Sequence, residues 1–566
     1  MTYLAPTRLA LLLLAASAAT PQAQTPFLLD TLSQELDRNY TVLKEKGEPP
    51  PYFLSYEVTE QEYHSISATL GAISSTGGGK DRVLDVTVRV GDPKLDNYHR
   101  VRGERLQFTS GSVLSFEDNA NAIKRRVWLD TDRAYRGAAE RLIRIKTNTQ
   151  VKVAAADDSD DFSHGEPATT FREPAPRLRF DETAWKDRVR NISARFLNHS
   201  DILTSHVSVS GQTDTRYFVS TEGSRIQHGR GFARVVIDAS AKAADGADLN
   251  TSEYFDAVDA SGLPKDDALL AAVDRVAKNL EALLRAPEAE PFVGPAIFSG
   301  RAAAVFFHEI FGHRIEGHRQ KDESEGQTFT KSVGTKVLPD FLSVVFDPTR
   351  RQIGGLDLNG WYEYDDEGVK ARPVTAVENG VLKTFLMSRS PIQGIDRSNG
   401  HGRRQPGFEI VSRQSNLIVQ SSKGVSDAQL RQMLIDEIKR QNKPYGLYFA
   451  DITSGFTTTA RSGLQAFKVI PIIVYRVYAD GRPDELVRGA DIVGTPLASF
   501  SKILATSDKQ EVFNGYCGAE SGSVPVAAVS PAILVSEIEI EKKAKSNDRP
   551  PLLPSPVETE IARSGQ

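Results

Sequence analysis

The run Phe306-Phe307-His308-Glu309-Ile310-Phe311-Gly312-His313 constrains the fold of this chain more than any other stretch. It sets two imidazoles and a carboxylate in an apolar segment, where ionisable groups are costly unless something pairs with them. A divalent metal would supply that partner, and a Glu directly after the first His is where zinc hydrolases keep the base that activates water. The two His are five positions apart rather than four. Five residues advance an α-helix by about 500°, which leaves the rings roughly 140° apart. An unbroken helix cannot aim both at one ion. The spacing therefore predicts a helix wound wide or broken between Ile310 and His313, with Gly312 as the place for the distortion.

The cysteine count narrows the chemistry further. Cys517 is the only Cys in 566 residues, so an intramolecular disulfide is excluded. The chain opens like an export signal: Arg8 supplies a positive charge, Leu9 to Ala19 an apolar stretch, and Thr20-Pro21-Gln22 follows among small residues. The apolar run is short for a membrane span, and no later segment is apolar enough to cross a bilayer. The expectation is an exported protein, periplasmic if the source is a Gram-negative bacterium. A free thiol in an oxidising compartment is a liability. Either Cys517 is a buried, inert residue, or its sulfur is occupied as a thiolate on a metal. A catalytic zinc takes three protein ligands and keeps one open position, and His308, His313 and Cys517 make such a set. With a net charge of −5 and no basic stripe, nothing points to nucleic acid.

The periodicities divide the chain into an N-terminal mixed α/β domain and a β-rich C-terminal domain that carries the metal-binding helix, an α+β class. Residues 1–24 read as a signal peptide, 25–290 as the first domain, 291–545 as the second and 546–566 as a disordered tail. Helical spacing marks Leu28 to Lys46, Asp132 to Thr147, Asp181 to Asn198 and Lys265 to Arg285. Tyr52 to Arg125 alternates like strands, with Gly77-Gly78-Gly79 expected as a loop between them. The acidic, Pro-containing stretch from Ala154 to Pro176 is expected to be an exposed linker. In the second half, Asn379-Gly380 and Asp480-Gly481 mark hairpins, and Ser426 to Gln441 marks a helix.

Taken together, several segments resemble the TldD/PmbA family of metallopeptidases. Its His-Glu-x-x-x-His element stands here as His308, Glu309 and His313, continuing into Glu316-Gly317. Asp365-Asp366-Glu367-Gly368-Val369, Glu378-Asn379-Gly380-Val381-Leu382, Asn399-Gly400-His401-Gly402-Arg403-Arg404, Asp451-Ile452-Thr453-Ser454-Gly455 and Gly489-Ala490-Asp491-Ile492-Val493-Gly494 are similar to further family segments, in order along the chain. Tyr516-Cys517-Gly518 is similar to the segment with the family's zinc Cys. The resemblance is strongest from about Phe292 to Lys543. It implies zinc held by two His and one Cys, Glu309 as the base, a homodimer or a heterodimer with a related subunit, and a peptide or unfolded polypeptide as substrate. The PmbA-type partner usually lacks the His-Glu element, so this chain aligns with the catalytic TldD type.

The reading is zinc-assisted peptide hydrolysis, with Glu309 passing a proton from water to the leaving amine. The oxyanion needs another donor, and His401, Arg403 and Tyr516 are candidates. Glu316 is placed to hydrogen-bond a metal-bound imidazole, or else sits in a surface salt bridge. Asp451 and its neighbours are expected at the cleft, or else serve turn chemistry. His318 competes as a third ligand by type, but the resemblance does not require a His there. It is read as solvated or as a neighbour of the ligands. The non-enzymatic alternative is a metal-stabilised assembly or partner-binding subunit, for which Glu309 would have no use. Hydrolysis of a non-peptide amide by the same chemistry is a third reading.

Overall fold

A computed structural model describes residues 27–101, 111–147, 157–461, 467–494, 499–545, 548–551 and 553. The expected signal peptide and most of the expected disordered tail lie outside the described residues. The fold is α+β: a helix-covered antiparallel sheet first, then a β-rich domain holding the His-Glu helix.

The first sheet is built on long strands, Pro51–Thr69, Ala72–Asp92, Thr204–Ser220 and Arg225–Lys242, with Asp248–Ala257 added beyond them. The first two are joined by a tight turn in which Leu70 and Gly71 both take positive φ, 48° and 85°. Side chains alternate between faces along each strand. Leu54, Tyr56 and Val58 lie under helices α1 (Phe27–Lys46) and α2 (Ala120–Thr147). Further along, Val207, Val209, Val235 and Ile237 lie under α3 (Glu182–Ala194) and α4 (Asp266–Arg285). The other face carries Ser55, Glu57 and Thr59, all buried, and turns toward the second domain.

Three local expectations need correction. Gly77-Gly78-Gly79 is not a loop. These glycines pair with Ser65, His64 and Tyr63 inside the ladder. The rings of His64 and Tyr63 explain them, since a Cβ on Gly78 would stand 2.8 Å from His64 Nδ1 and one on Gly79 would stand 3.2 Å from the Tyr63 ring. Helix α2 starts at Ala120, not Asp132, so the strand-like reading through Arg125 overshoots. The Asn119 side chain accepts from the Ala122 N–H at 3.1 Å and starts the helix. The Ala154 to Pro176 stretch, where described, is not simply exposed. Asp161, Phe162 and Ser163 are buried, and Ser163 N–H donates to the Arg389 carbonyl at 2.8 Å.

The second domain is organised around one 21-residue strand, Gly522–Lys542. It pairs with Ile503–Ala519, Asn416–Ser421, Ala490–Gly494 and Phe292–Phe298. Phe292–Phe298 also pairs with Gly446–Thr457, which pairs with Phe467–Val477 and through it reaches Ala490–Gly494. These five strands close on themselves. The Asn379-Gly380 turn has φ of 48° and 81° and joins Val374–Glu378 to Val381–Leu382, the expected hairpin. Helix α5 (Gly300–Ile310) packs on the long strand so closely that a Cβ on Gly300 would stand 2.6 Å from the Ser530 carbonyl. Phe306 and Phe307 enter the same core as Phe298, Phe449 and Phe500. The two domains meet through buried ion pairs, among them Arg404–Glu57 at 2.7 Å and Arg389–Glu222 at 2.8 Å.

Candidate metal centre

The Ser299 side chain caps α5, accepting from Ala302 N–H at 3.1 Å, and the Ala-rich first turns favour helix. The helix ends at Ile310. A tight 3-10 turn, Gly312–Ile315, follows at once. This break turns His313 back toward His308, so that their ring centroids are 5.2 Å apart. Of the two distortions that the spacing allows, the chain adopts the break rather than the wide turn. Gly312 is needed for space rather than for an unusual φ, because a Cβ there would overlap the side-chain amide of Gln414. That amide donates to the His308 carbonyl at 3.2 Å.

Cys517 arrives from the hairpin of Ile503–Ala519 and Gly522–Lys542, more than two hundred positions downstream of His308. His308 Nε2 stands 3.2 Å from Cys517 Sγ, and His313 Nε2 stands 3.3 Å from it. All three side chains are buried. Burial alone would push the Cys517 thiol up, but His313 and His308 outweigh it and hold it well below the usual thiol range. Burial likewise opposes a charge on His313, yet Cys517 and Glu316 raise its pKa well above the usual value. Two imidazole nitrogens and a thiolate at this separation are the donors that a borderline-soft cation takes, so the residues present fit a metal.

Glu316 is wholly buried, not a surface salt bridge. Its carboxylate lies 3.4 Å from His313 Nδ1 and accepts from Arg319 Nε at 2.8 Å. Burial pushes Glu316 up, but His313 and Arg319 bring it down to about 2. A carboxylate on Nδ1 leaves Nε2 free to face a cation. His318 is not solvated. Its ring is buried and its Nε2 meets Glu520 rather than the donor cluster.

Beside the donors opens a cleft of about 1450 Å³ to which both domains contribute. Glu309 lines it, as do Gly455 and Tyr516. A Cβ on Gly455 would stand 2.7 Å from Glu309 Cγ.

Residues 293–542 match the model of the PmbA/TldA metallopeptidase C-terminal domain. The C-terminal domain of the chain belongs to the PmbA/TldD family. It is 27% identical over 321 residues to a metalloprotease of Methanocaldococcus jannaschii, a match covering 56% of this chain and 66% of that protein. It is 26% identical over 254 residues to a Haemophilus influenzae protein named metalloprotease TldD homolog, covering 44% and 48% of the two chains. A zinc metalloprotease TldD homolog of Saccharolobus solfataricus is 25% identical over 249 residues, covering 44% of this chain and 51% of that one. The chain thus spans about half to two thirds of the length of these curated relatives. The crystal structure of TldE from Thermococcus kodakarensis superposes with a TM-score of 0.59 over 90% of this chain and 100% of that one, at 14% identity, and shows a shared fold.

The remaining sequence candidates separate. His401 is fully buried between Asn399 and Ser415, with its pKa pushed by burial down to about 3. Arg403 is buried and donates to the carbonyls of Gln414 and Pro525 at 2.6 and 2.8 Å. Neither lines the cleft, so neither is placed as an oxyanion donor. Tyr516 does line it. Asp451 is held by Arg301 Nε at 3.0 Å, and Arg301, not Asp451, faces the cleft. Sequence reading missed Arg319, Arg413 and Gln414. Their contacts join segments far apart in the chain, and no local motif announces them.

Proposed function

We propose that this protein is a zinc-dependent peptidase acting on peptides or unfolded segments, with His308, His313 and Cys517 as ligands and Glu309 as general base. The observation that carries the reading is the meeting of these three buried donors at the floor of a cleft that also receives Glu309. A structural zinc site closes its fourth position with another protein ligand. The three-donor cluster found among the described residues, with open cleft beside it, supports a reactive site instead.

Bound zinc would supply a Lewis acid that polarises the scissile carbonyl and acidifies water. The Glu309 carboxylate takes the proton of the attacking water and delivers it to the leaving amine nitrogen. Gly455 leaves the space in which that carboxylate sits. The Tyr516 hydroxyl donates to the developing oxyanion. The cleft is large enough to hold several residues of an extended peptide.

The decisive experiment pairs metal analysis with peptide hydrolysis in the wild type and in Glu309→Gln. Hydrolysis should fall by at least about a hundredfold while zinc content is unchanged. Cleavage that survives the substitution with zinc still bound overturns the mechanism. We propose further that the protein is exported after removal of its first residues, and that it works as a dimer with a second copy or a related subunit. The N-terminal sequence and the sedimentation of the cellular protein test these two points.

A further inference from the structure

We infer that Arg413 is a positioning residue: its guanidinium ties the hairpin bearing Cys517 to the carboxylate that orients His313, and thereby sets the spacing of the three donors. This rests on the metal reading above and adds to it the device that brings the two ligand-bearing segments together.

Arg413 contacts both the Cys517 end of the hairpin and the Glu316 carboxylate beside His313. Ile503–Ala519 is supported on its outer edge by Gly424–Val425, but that pairing stops at Ser507. Its far end, with Cys517, pairs among the described residues with its own return strand alone, Cys517 opposite Val524. A ladder to one neighbour fixes register, and other segments also hold the tip: the Gln405 N–H donates to the Ser521 carbonyl and the Gln405 side-chain oxygen accepts from the Ser523 N–H, each at 2.9 Å, and Glu520 meets His318 and Arg319. Arg413 grips that tip from both sides. One terminal nitrogen donates to the Cys517 carbonyl at 2.6 Å, and the other donates to Ser521 Oγ at 2.7 Å and to the Gly522 carbonyl at 3.1 Å. Its Nε lies 3.4 Å from Glu316, the same carboxylate that approaches His313 Nδ1. The side chain is wholly buried, so its charge is held by these groups and not by water.

The next residue, Gln414, donates to the His308 carbonyl at 3.2 Å. One dipeptide therefore touches the carriers of all three donors. A planar fork with donors in fixed directions is what such a bridge requires. Lysine, with one compact ammonium, cannot reach both strands of the hairpin and Glu316 together.

The test uses the full-length protein in four forms: wild type, Cys517→Ala, Arg413→Lys and Arg413→Met. Zinc affinity is measured by competition with a chromophoric chelator. The cobalt-loaded proteins are compared by their thiolate-to-metal absorption, and the metal-free proteins by thermal unfolding. Arg413→Met is expected to weaken zinc binding about 10–100-fold and to shift or weaken the thiolate band. Arg413→Lys should fall between it and the wild type. A purely structural role would lower the metal-free melting temperature without moving the band. Should Arg413→Met not fold, Arg413→Lys and Ser521→Ala carry the comparison. Wild-type affinity with an unchanged band in the folded Arg413 variants overturns this inference alone. Failure of the wild type to bind zinc, or a thiolate band that persists in Cys517→Ala, overturns the metal reading and this inference with it.

Discussion

Gly455 and Glu309 are packed so tightly that the smallest side chain at the first would displace the second: a Cβ on Gly455 would stand 2.7 Å from Glu309 Cγ and 3.2 Å from its Cδ. The two residues come from different elements, the strand Gly446–Thr457 and helix α5. The absence of a side chain at Gly455 is thus a condition for the place of the Glu309 carboxylate. Gly455→Ala is expected to lower kcat about tenfold or more while leaving bound zinc unchanged, since a displaced base loses part of its hundredfold or larger contribution. Steady-state kinetics beside metal analysis checks this. Unaltered kcat would show that Glu309 does not work from the position it occupies.

A similar contact governs the helix break. A Cβ on Gly312 would overlap the Gln414 amide that holds the His308 carbonyl. Gly312→Ala is expected to cost about 1–3 kcal/mol through overpacking and to weaken metal binding. Shortening the opposing side chain should relieve the overlap. The double variant Gly312→Ala/Gln414→Ala is therefore expected to regain part of the stability that the single variant loses. Denaturant unfolding of both variants decides it, and a double variant less stable than the sum of the two single effects would count against the steric account.

Much of this centre could be read before any coordinates, and the reasons are physical. His308 and His313 are five residues apart, more than one helical turn, so their spacing alone dictates that the helix must yield if both face one point. Cys517 could be named as a candidate partner of the two imidazoles because it is the only thiol in the sequence. The Asn379-Gly380 hairpin was legible because its turn needs two positive φ values, which Asn and Gly tolerate. What stayed hidden depends on distant partners. Gly77 to Gly79 read as a loop, although cross-strand rings require small residues there. His401 and Arg403 sit in a family-like motif, yet their side chains serve the interior. Arg413 meets Cys517 across 104 positions, and no spacing rule covers that distance.

Of the three sequence candidates for stabilising the oxyanion, Tyr516 is the one on the cleft wall. Tyr516→Phe is expected to reduce kcat about tenfold to a thousandfold with little change in KM. His401→Ala should act differently. It removes a buried imidazole that bridges Asn399 and Ser415, and the expected effect is a lower unfolding midpoint with kcat preserved in the folded fraction. Comparing kcat per folded molecule for the two variants separates the roles. A larger kcat loss in His401→Ala than in Tyr516→Phe would reverse the assignment.

The domain interface should weaken in acid through Glu57. Burial opposes its charge, but Arg404 and Arg216 outweigh that and hold its pKa below the usual carboxylate value. In the unfolded chain a glutamate takes up its proton near about pH 4.3. The folded protein keeps the anion to lower pH, so the stabilisation is complete above that value and fades as the pH falls through the lowered folded pKa. Glu57→Gln removes the charge, and with it the ion pair to Arg404 at 2.7 Å and the contact with Arg216 at 3.2 Å. At neutral pH the variant is expected to be less stable by about 1.5–3 kcal/mol, the value of a hydrogen bond to a charged group. The gap between wild type and variant should narrow as the pH falls below about 4.3, where the unfolded chain takes up a proton that the folded protein still refuses, and level off once the folded carboxylate is itself protonated. Urea unfolding at neutral and acid pH reads the gap directly, and a gap that widens in acid would mean that Glu57 is not held as an anion by its two arginines.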